Sequence, residues 1–248
     1  MATIKICYRF HFNDKTSKSF DLTLDDDTVE VTDPVRHSGP AWTKLDHHKC
    51  AHCPLDSAAH EYCPAALSLV DCVNASSSLM SFDQIELEVS IGNKVTTCPS
   101  TVQKSLSSLI GLLLSTSGCP YLDFFKPMAR QHLPLASEKD TIFRAVGMYL
   151  LAQYYLKEAG NIPDLSLDGL ALIYEKLQVV NLHLSHRLRE ASQTDSSVNA
   201  VILLDLFSKA LPLVIEDKLE DIQGWFSGYD SLLYRRILDE LSDQASTP

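Results

Sequence analysis

Residues 45–66, LDHHKCAHCPLDSAAHEYCPAA, bring Cys50, Cys53 and Cys63 together with His47, His48, His52 and His60. Thiolate and imidazole are the ligands that zinc and iron–sulfur centres use. Cys50 and Cys53 form a Cys-x-x-Cys pair, whose two intervening residues let the chain turn so that both sulfurs face one ion. Cys63 offers a third sulfur. His48, His47, His60 or a distant cysteine offers the fourth ligand. The simplest reading is a Cys3His zinc site that orders the segment without doing chemistry itself. The rival is an iron–sulfur cluster. Cys53, Cys63, Cys98 and Cys119 are each followed by proline, a recurring feature of cluster-binding runs. Cys50, Cys53, Cys63 and Cys119 would make a [4Fe–4S] ligand set. The metal-ligand candidates are therefore Cys50, Cys53, Cys63, His48 and Cys119. Without a metal, these cysteines would be small core hydrophobes or a redox pair. No βαβ pattern surrounds the pair, and the neighbouring histidines favour coordination.

A second stretch, TSGCPYLDFFKPMARQHLP, sets Cys119 just after Gly118 and just before an expected helix start. Exposed helix N–H groups would lower its thiol pKa and make it a nucleophile. His132 would then be a base and Arg130 an anion clamp. The plainer reading makes Cys119 a ligand or core residue, with Arg130 and His132 capping helices or pairing with acids. His183, His186 and Glu190 share a helix face, but the hydrolytic zinc motif needs a Glu beside the first His, so a solvated polar face is expected. Tyr149, Gln153, Tyr154 and Tyr155 read as core packing. The chain has no Gly-x-x-x-x-Gly-Lys, Gly-x-Gly-x-x-Gly or Gly-x-Ser-x-Gly motif, which leaves nucleotide-phosphate and α/β-hydrolase chemistry unsupported.

The elements that must position these residues follow from periodicity. Ile4, Ile6, Tyr8, Phe10 and Phe12 alternate with polar residues, and Phe20, Leu22 and Leu24 resume the alternation after the turn residues NDKTSK. Residues 4–24 thus predict a hairpin, with a short third strand in DDDTVEV. Ile85, Leu87, Val89 and Ile91, the turn GN and the return KVTTC predict a second hairpin, and the two would form one antiparallel sheet. Residues 32–66 have no period and need something else to order them. Residues 64–74 predict a short helix with Pro64 in its first turn. Beyond Pro99 the pattern turns helical. STVQKSLSSLIGLLLSTSG predicts a helix ending at Gly118, and Pro127 is expected to break the short helix that follows. Ser137 caps a helix, apolar on most faces, that is expected to be the central core helix. Residues 166–191 and 195–222 predict two more helices, the second interrupted at Pro212, before a last helix through YDSLLYRRILDELSD. The fold class is α+β: a small antiparallel sheet of two hairpins with an irregular Cys/His-rich segment, followed by a helical bundle. Residues 1–99 form the hairpin region, with the metal-site segment at 45–66. Residues 100–248 form the helical domain, packed with the first as one unit.

The 248 residues, 45% apolar and 21% charged, suffice for a core of their own. Net charge is −11, and residues 161–248 carry seven Lys or Arg against fourteen Asp or Glu. Such a surface repels nucleic-acid phosphates and anionic lipid heads. The N-terminus alternates like a strand, unlike a signal peptide, and no apolar run reaches the ~20 residues of a membrane span. Seven cysteines cannot all pair within one chain; a reducing cytoplasm, with thiols free or metal-bound, fits.

The strings HKCAHCPL…YCPAALSL, SLIGLLLSTSGCP, PMARQHLP and MYLLAQYY resemble a family of uncharacterised bacterial proteins, a domain of unknown function with Cys-x-x-Cys-Pro and Ser-Gly-Cys-Pro motifs. The likeness covers residues 1–160 and beyond. It implies bacterial origin and brings no activity, substrate or metal. The expected function is a metal-binding cytoplasmic protein with a structural zinc-type Cys/His site, a protein-interaction or regulatory role, and a protein partner or homo-oligomer. The alternative is an iron–sulfur or Cys119-based enzyme or redox sensor.

Overall fold

The computed structural model describes residues 2–33, 37–191, 198–202, 204–205 and 219–245. The two hairpins form as their alternation predicts. Strand β1 (Thr3–Phe12) pairs antiparallel with β2 (Ser17–Asp25), which carries the short β3 (Val31–Asp33). After α1 (Pro64–Ser68) and α2 (Val70–Ser76), β4 (Gln84–Ile91) and β5 (Lys94–Thr101) make the second hairpin. β1 also pairs antiparallel with β4, so one sheet runs in the order β3-β2-β1-β4-β5. β5 is the mostly exposed edge, and there Pro99, which has no N–H, denies a ladder donor to any further strand. Period-two alternation puts Ile6, Tyr8, Phe10, Leu22, Leu24, Ile85, Leu87 and Val89 on the buried face.

That face is covered by α3 (Val102–Ser115), which leaves β5 directly through the Thr101 cap. Leu106, Leu109, Ile110 and Leu112 of α3 are almost wholly buried. They share one apolar cluster with sheet residues and with Val180, Leu184 and Leu188 of a later helix. The core therefore crosses residue 99 without interruption. Next come α4 (Lys126–Arg130), α5 (Glu138–Glu158), α6 (Asp168–Ala191) and α7 (Leu232–Ala245). Together these make a small antiparallel sheet followed by a helical bundle.

Two expectations are corrected. Pro127 does not break a helix. It lies in the first turn of α4, where its missing N–H costs nothing, and it starts the helix. Nor is α5 the central helix. Ser137 caps it in a capping box with Asp140, as its sequence requires, but it buries only Ile142, Ala145, Val146, Tyr149 and Gln153. Phe143, Leu150, Leu151, Tyr154 and Tyr155 are exposed, so two of the expected core tyrosines face outward. α5 belongs to a second, smaller apolar cluster with Phe125, Leu170, Tyr174 and Ile222. The sheet offers one face, and the helix that emerges from its edge strand takes it first. The expected interruption at Pro212 lies outside the described residues.

Candidate metal centre

From residue 37 to α1 the chain runs through bends and turns around a short 3-10 helix, Ala41–Thr43. Its base is fixed by backbone hydrogen bonds. Lys44 and Tyr62 form an isolated antiparallel bridge, the Leu45 N–H donates to the Glu61 carbonyl at 2.9 Å, and the Cys63 N–H donates to the Thr43 carbonyl at 2.8 Å. The Cys53 N–H closes a turn on the Cys50 carbonyl at 3.0 Å, as the two-residue spacing requires. Cys63 is the residue that precedes α1 and has extended backbone angles. Cys119 follows Gly118, whose φ of 78° lets the chain reverse after α3.

Folding brings Cys50, Cys53, Cys63 and Cys119 to the wall of one small cavity of ≈20 Å³. Arg187 of α6 lies on the same wall. It is 2% exposed, and a guanidinium keeps its proton even when buried. Its Nη1 donates to the carbonyls of Trp42 and Lys44, both at 2.7 Å, and its Nη2 to the carbonyl of Leu45 at 3.0 Å. One guanidinium thus ties α6 to the base of the cysteine segment. Burial pulls its pKa down, while the facing sulfurs of Cys63, Cys50 and Cys53 push it back up.

Burial dominates the thiols. It pushes Cys50 up to about 12, with the neighbouring cysteines adding to the rise. Cys63 is also raised by burial, against the lowering influence of Arg187 and of the Ala66 and Ala65 amides. Cys119 rises to about 11 despite hydrogen bonds from the Tyr121 and Leu122 amides. A nucleophilic cysteine needs the opposite shift. Arg130, the expected anion clamp, instead lies 2.6 Å from Asp26. His132 lies on the wall of a different cavity from Cys119. The trio required for covalent chemistry is not assembled. Cys98 sits on β5 opposite Leu87, away from the other three cysteines that precede proline.

His48 does not line the cysteine cavity. Its Nε2 lies 2.7 Å from Glu190 Oε1, and His47 Nε2 lies 2.8 Å from Glu190 Oε2. The backbone of His48 is left-handed, with φ 47°, which turns two adjacent imidazoles to the same carboxylate. Among the described residues, His47, His48 and Glu190 are the only three potential ligands whose atoms all lie within 4.8 Å of one another. This cluster can coordinate one metal ion. The His48 bond is the largest influence holding the Glu190 carboxyl below its ordinary pKa. The His47 contact at 2.8 Å adds to the same lowering. The His183–His186–Glu190 face is therefore no merely solvated surface. Glu190 meets the two imidazoles, and His183 Nδ1 meets the His48 carbonyl at 3.1 Å. Sequence reasoning missed Arg187. The available signal was a guanidinium inside the stripe of Leu184 and Leu188, where an unpaired charge is costly and an internal partner is implied.

His132 explains a separate feature of the core. The hydroxyl of the fully buried Tyr8 lies 2.8 Å from Ser108 Oγ and 2.5 Å from His132 Nε2. Burial, then the Arg144 charge, lowers the His132 pKa to about 3. The unfolded chain binds this proton near pH ~6.5, where the folded chain refuses it. The resulting stability is complete above that pH and is lost as pH falls toward about 3. Relative to His132→Gln, the native protein should lose roughly 2–4 kcal/mol between neutral and strongly acid pH. Urea melts of both proteins across that range check this; parallel pH profiles would refute it.

Among the described residues no helix is long and apolar enough to cross a membrane. No curated protein and no solved structure matches the chain. A family model described as Domain of unknown function (DUF6901) matches residues 6–227, nearly the whole length, and the chain belongs to that uncharacterised family.

Proposed function

We propose that the protein is a metal-binding protein whose centre is held by Cys50, Cys53, Cys63 and Cys119, with a [4Fe–4S] cluster as the occupant. The observation that carries this is the convergence of four thiols from two distant parts of the chain on one cavity, beside a buried arginine. Four thiolates leave either metal centre with negative charge, and Arg187 supplies the compensating cation. Spacing favours the cluster over a single ion. Zn–S bonds of ~2.3 Å would hold tetrahedral sulfurs about 4 Å apart. Among the described residues no three of these sulfurs lie within 4.8 Å of one another. A cluster sets irons and inorganic sulfides between its protein ligands and so keeps them further apart.

Zinc remains as the second reading because the cavity is small, ≈20 Å³. In either case the metal orders residues 45–63 and fastens them to α3 and α6. His48 then belongs with His47 and Glu190 as a separate, weaker zinc-type site in place of the fourth ligand. A protein-facing role is supported by the exposed apolar residues of α5 and by Leu232, Leu233, Ile237 and Leu238 of α7.

Elemental analysis of anaerobically purified protein tests the proposal. A brown protein absorbing near ~400 nm, with iron and acid-labile sulfide, is the expected result. A colourless protein with stoichiometric zinc selects the second reading. Neither metal, in protein purified with both supplied, would refute the centre.

A further inference from the structure

The last turns of α6 meet the start of the cysteine segment at three points. His183 Nδ1 meets the His48 carbonyl, Arg187 holds the carbonyls of Trp42, Lys44 and Leu45, and the Glu190 carboxylate faces the imidazoles of His47 and His48. Arg187 is shut off from solvent. The Glu190 contact is open to it: the side chains of His47, His48 and Glu190 are 32%, 35% and 52% exposed, so an ion can reach them. Cys50 follows His48 by two residues. Whatever fixes the imidazoles therefore fixes the near end of the thiol segment.

An ordinary ion pair needs one imidazole. Here two adjacent imidazoles converge on a carboxylate 142 residues further along the chain from His48, and a third stands beside them. That third is His186. It lies one helical turn before Glu190, at the i, i+4 spacing that puts both on one face of α6, and its ring centroid is 5.5 Å from that of His48. Imidazole nitrogens with a carboxylate oxygen suit Zn²⁺ and its neighbours, whereas Mg²⁺ and Ca²⁺ take oxygen shells. The His47, His48 and Glu190 ligand atoms already lie within 4.8 Å of one another. Bonds of ~2.0–2.2 Å to a tetrahedral ion need them about 3–3.5 Å apart, which small side-chain rotations supply.

We propose that His47, His48 and Glu190, with His186 as fourth ligand, form an exchangeable Zn²⁺-type site whose occupancy clamps the cysteine segment to α6 and slows its opening. The clamping role rests on the reading of residues 45–63 as a metal-holding segment; the histidine site itself does not.

The test uses whole protein of known metal content, freed of loosely held ions by dialysis against citrate. Calorimetric titration should show one equivalent of Zn²⁺ binding and no response to Mg²⁺. Glu190→Gln and His186→Ala should each weaken Zn²⁺ about tenfold or more. Glu190 is exposed, so the first variant should fold, and Glu190→His, which restores a ligand, should recover the binding. The clamp is read from the rate at which iodoacetamide modifies Cys50 and Cys53, followed by mass spectrometry. An ion that binds only the closed segment slows this about tenfold at ten times its Kd. The same Zn²⁺ concentration should not protect the thiols of Glu190→Gln. Equal Zn²⁺ binding by native and Glu190→Gln protein overturns the site, and unchanged binding by His186→Ala overturns its fourth ligand. Protection that persists in Glu190→Gln, or no protection in native protein that binds Zn²⁺, overturns the clamp. Because the site is scored by its dependence on Glu190, it is judged whether or not elemental analysis finds the cysteine centre filled.

Discussion

Cys119→Ser is expected to lose its metal and to melt far below the native protein, although it leaves the entire Cys-x-x-Cys segment intact. Metal binding and folding are linked because the unfolded chain holds no preformed site. Structural metal ions contribute ~10 kcal/mol or more in small domains. Here the sheet and α3 form a core of their own, so only the local share is at stake. A loss of several kcal/mol is expected, worth ~10 °C or more at ~2–4 °C per kcal/mol for a chain of this size. Cys53→Ser should behave the same way. Cys98→Ser and His48→Ala are the informative contrasts. Cys98 also precedes proline but lies on the edge hairpin, and His48 faces Glu190, so both variants should keep the metal held by the four cysteines. Metal content and melting temperature, measured on all four proteins, decide the ligand set. A Cys119→Ser protein that retains its metal, alongside a His48→Ala protein that loses it, would reinstate the Cys3His site.

Arg187→Met should be the most damaging single change outside the ligands. Methionine keeps the apolar stem and most of the volume, so little cavity forms. What is lost is the donor set for three carbonyls, those of Trp42, Lys44 and Leu45, and the cation beside the thiolates. Removing one partner from a buried charged network costs ~3–5 kcal/mol, because the partners left behind stay buried without water. Melting should fall by ~10 °C. Metal should also leave faster to a chelator, since thiolates without a nearby cation hold their protons more tightly. Arg187→Lys restores the charge but not the two-nitrogen reach, and should recover metal retention more fully than melting temperature. If Arg187→Met melts within about 2 °C of the native protein, its three carbonyls have other partners and the role assigned to Arg187 fails.

The contrast between α3 and α5 shows where sequence reasoning reached its limit. Both helices are rich in leucine or aromatic residues, and periodicity reads each of them correctly as a helix. Which one becomes central depends on how many apolar faces the rest of the chain offers. The single sheet face is taken by α3, which begins at the last residue of β5, and α5 is left with Phe125, Leu170 and Tyr174. Arg130 and His132 show the same limit in the candidate chemistry. Their proximity in sequence to Cys119 suggested a shared task, but Arg130 pairs with Asp26 from the turn after β2 and His132 with Tyr8 from β1. Neither partner can be identified from local spacing.

The sequence alone determined both hairpins, their turns, the helix caps and the thiols of residues 45–66, because alternation, turn chemistry and Cys-x-x-Cys spacing are local properties encoded within a few residues of one another. Tertiary structure alone decided that Cys119 joins Cys50, Cys53 and Cys63, that Arg187 faces them, and that His48 turns instead to Glu190. Those pairings span the length of the chain. They are set by which buried surfaces meet, and a buried charge or thiol shows its purpose only beside the group that compensates it.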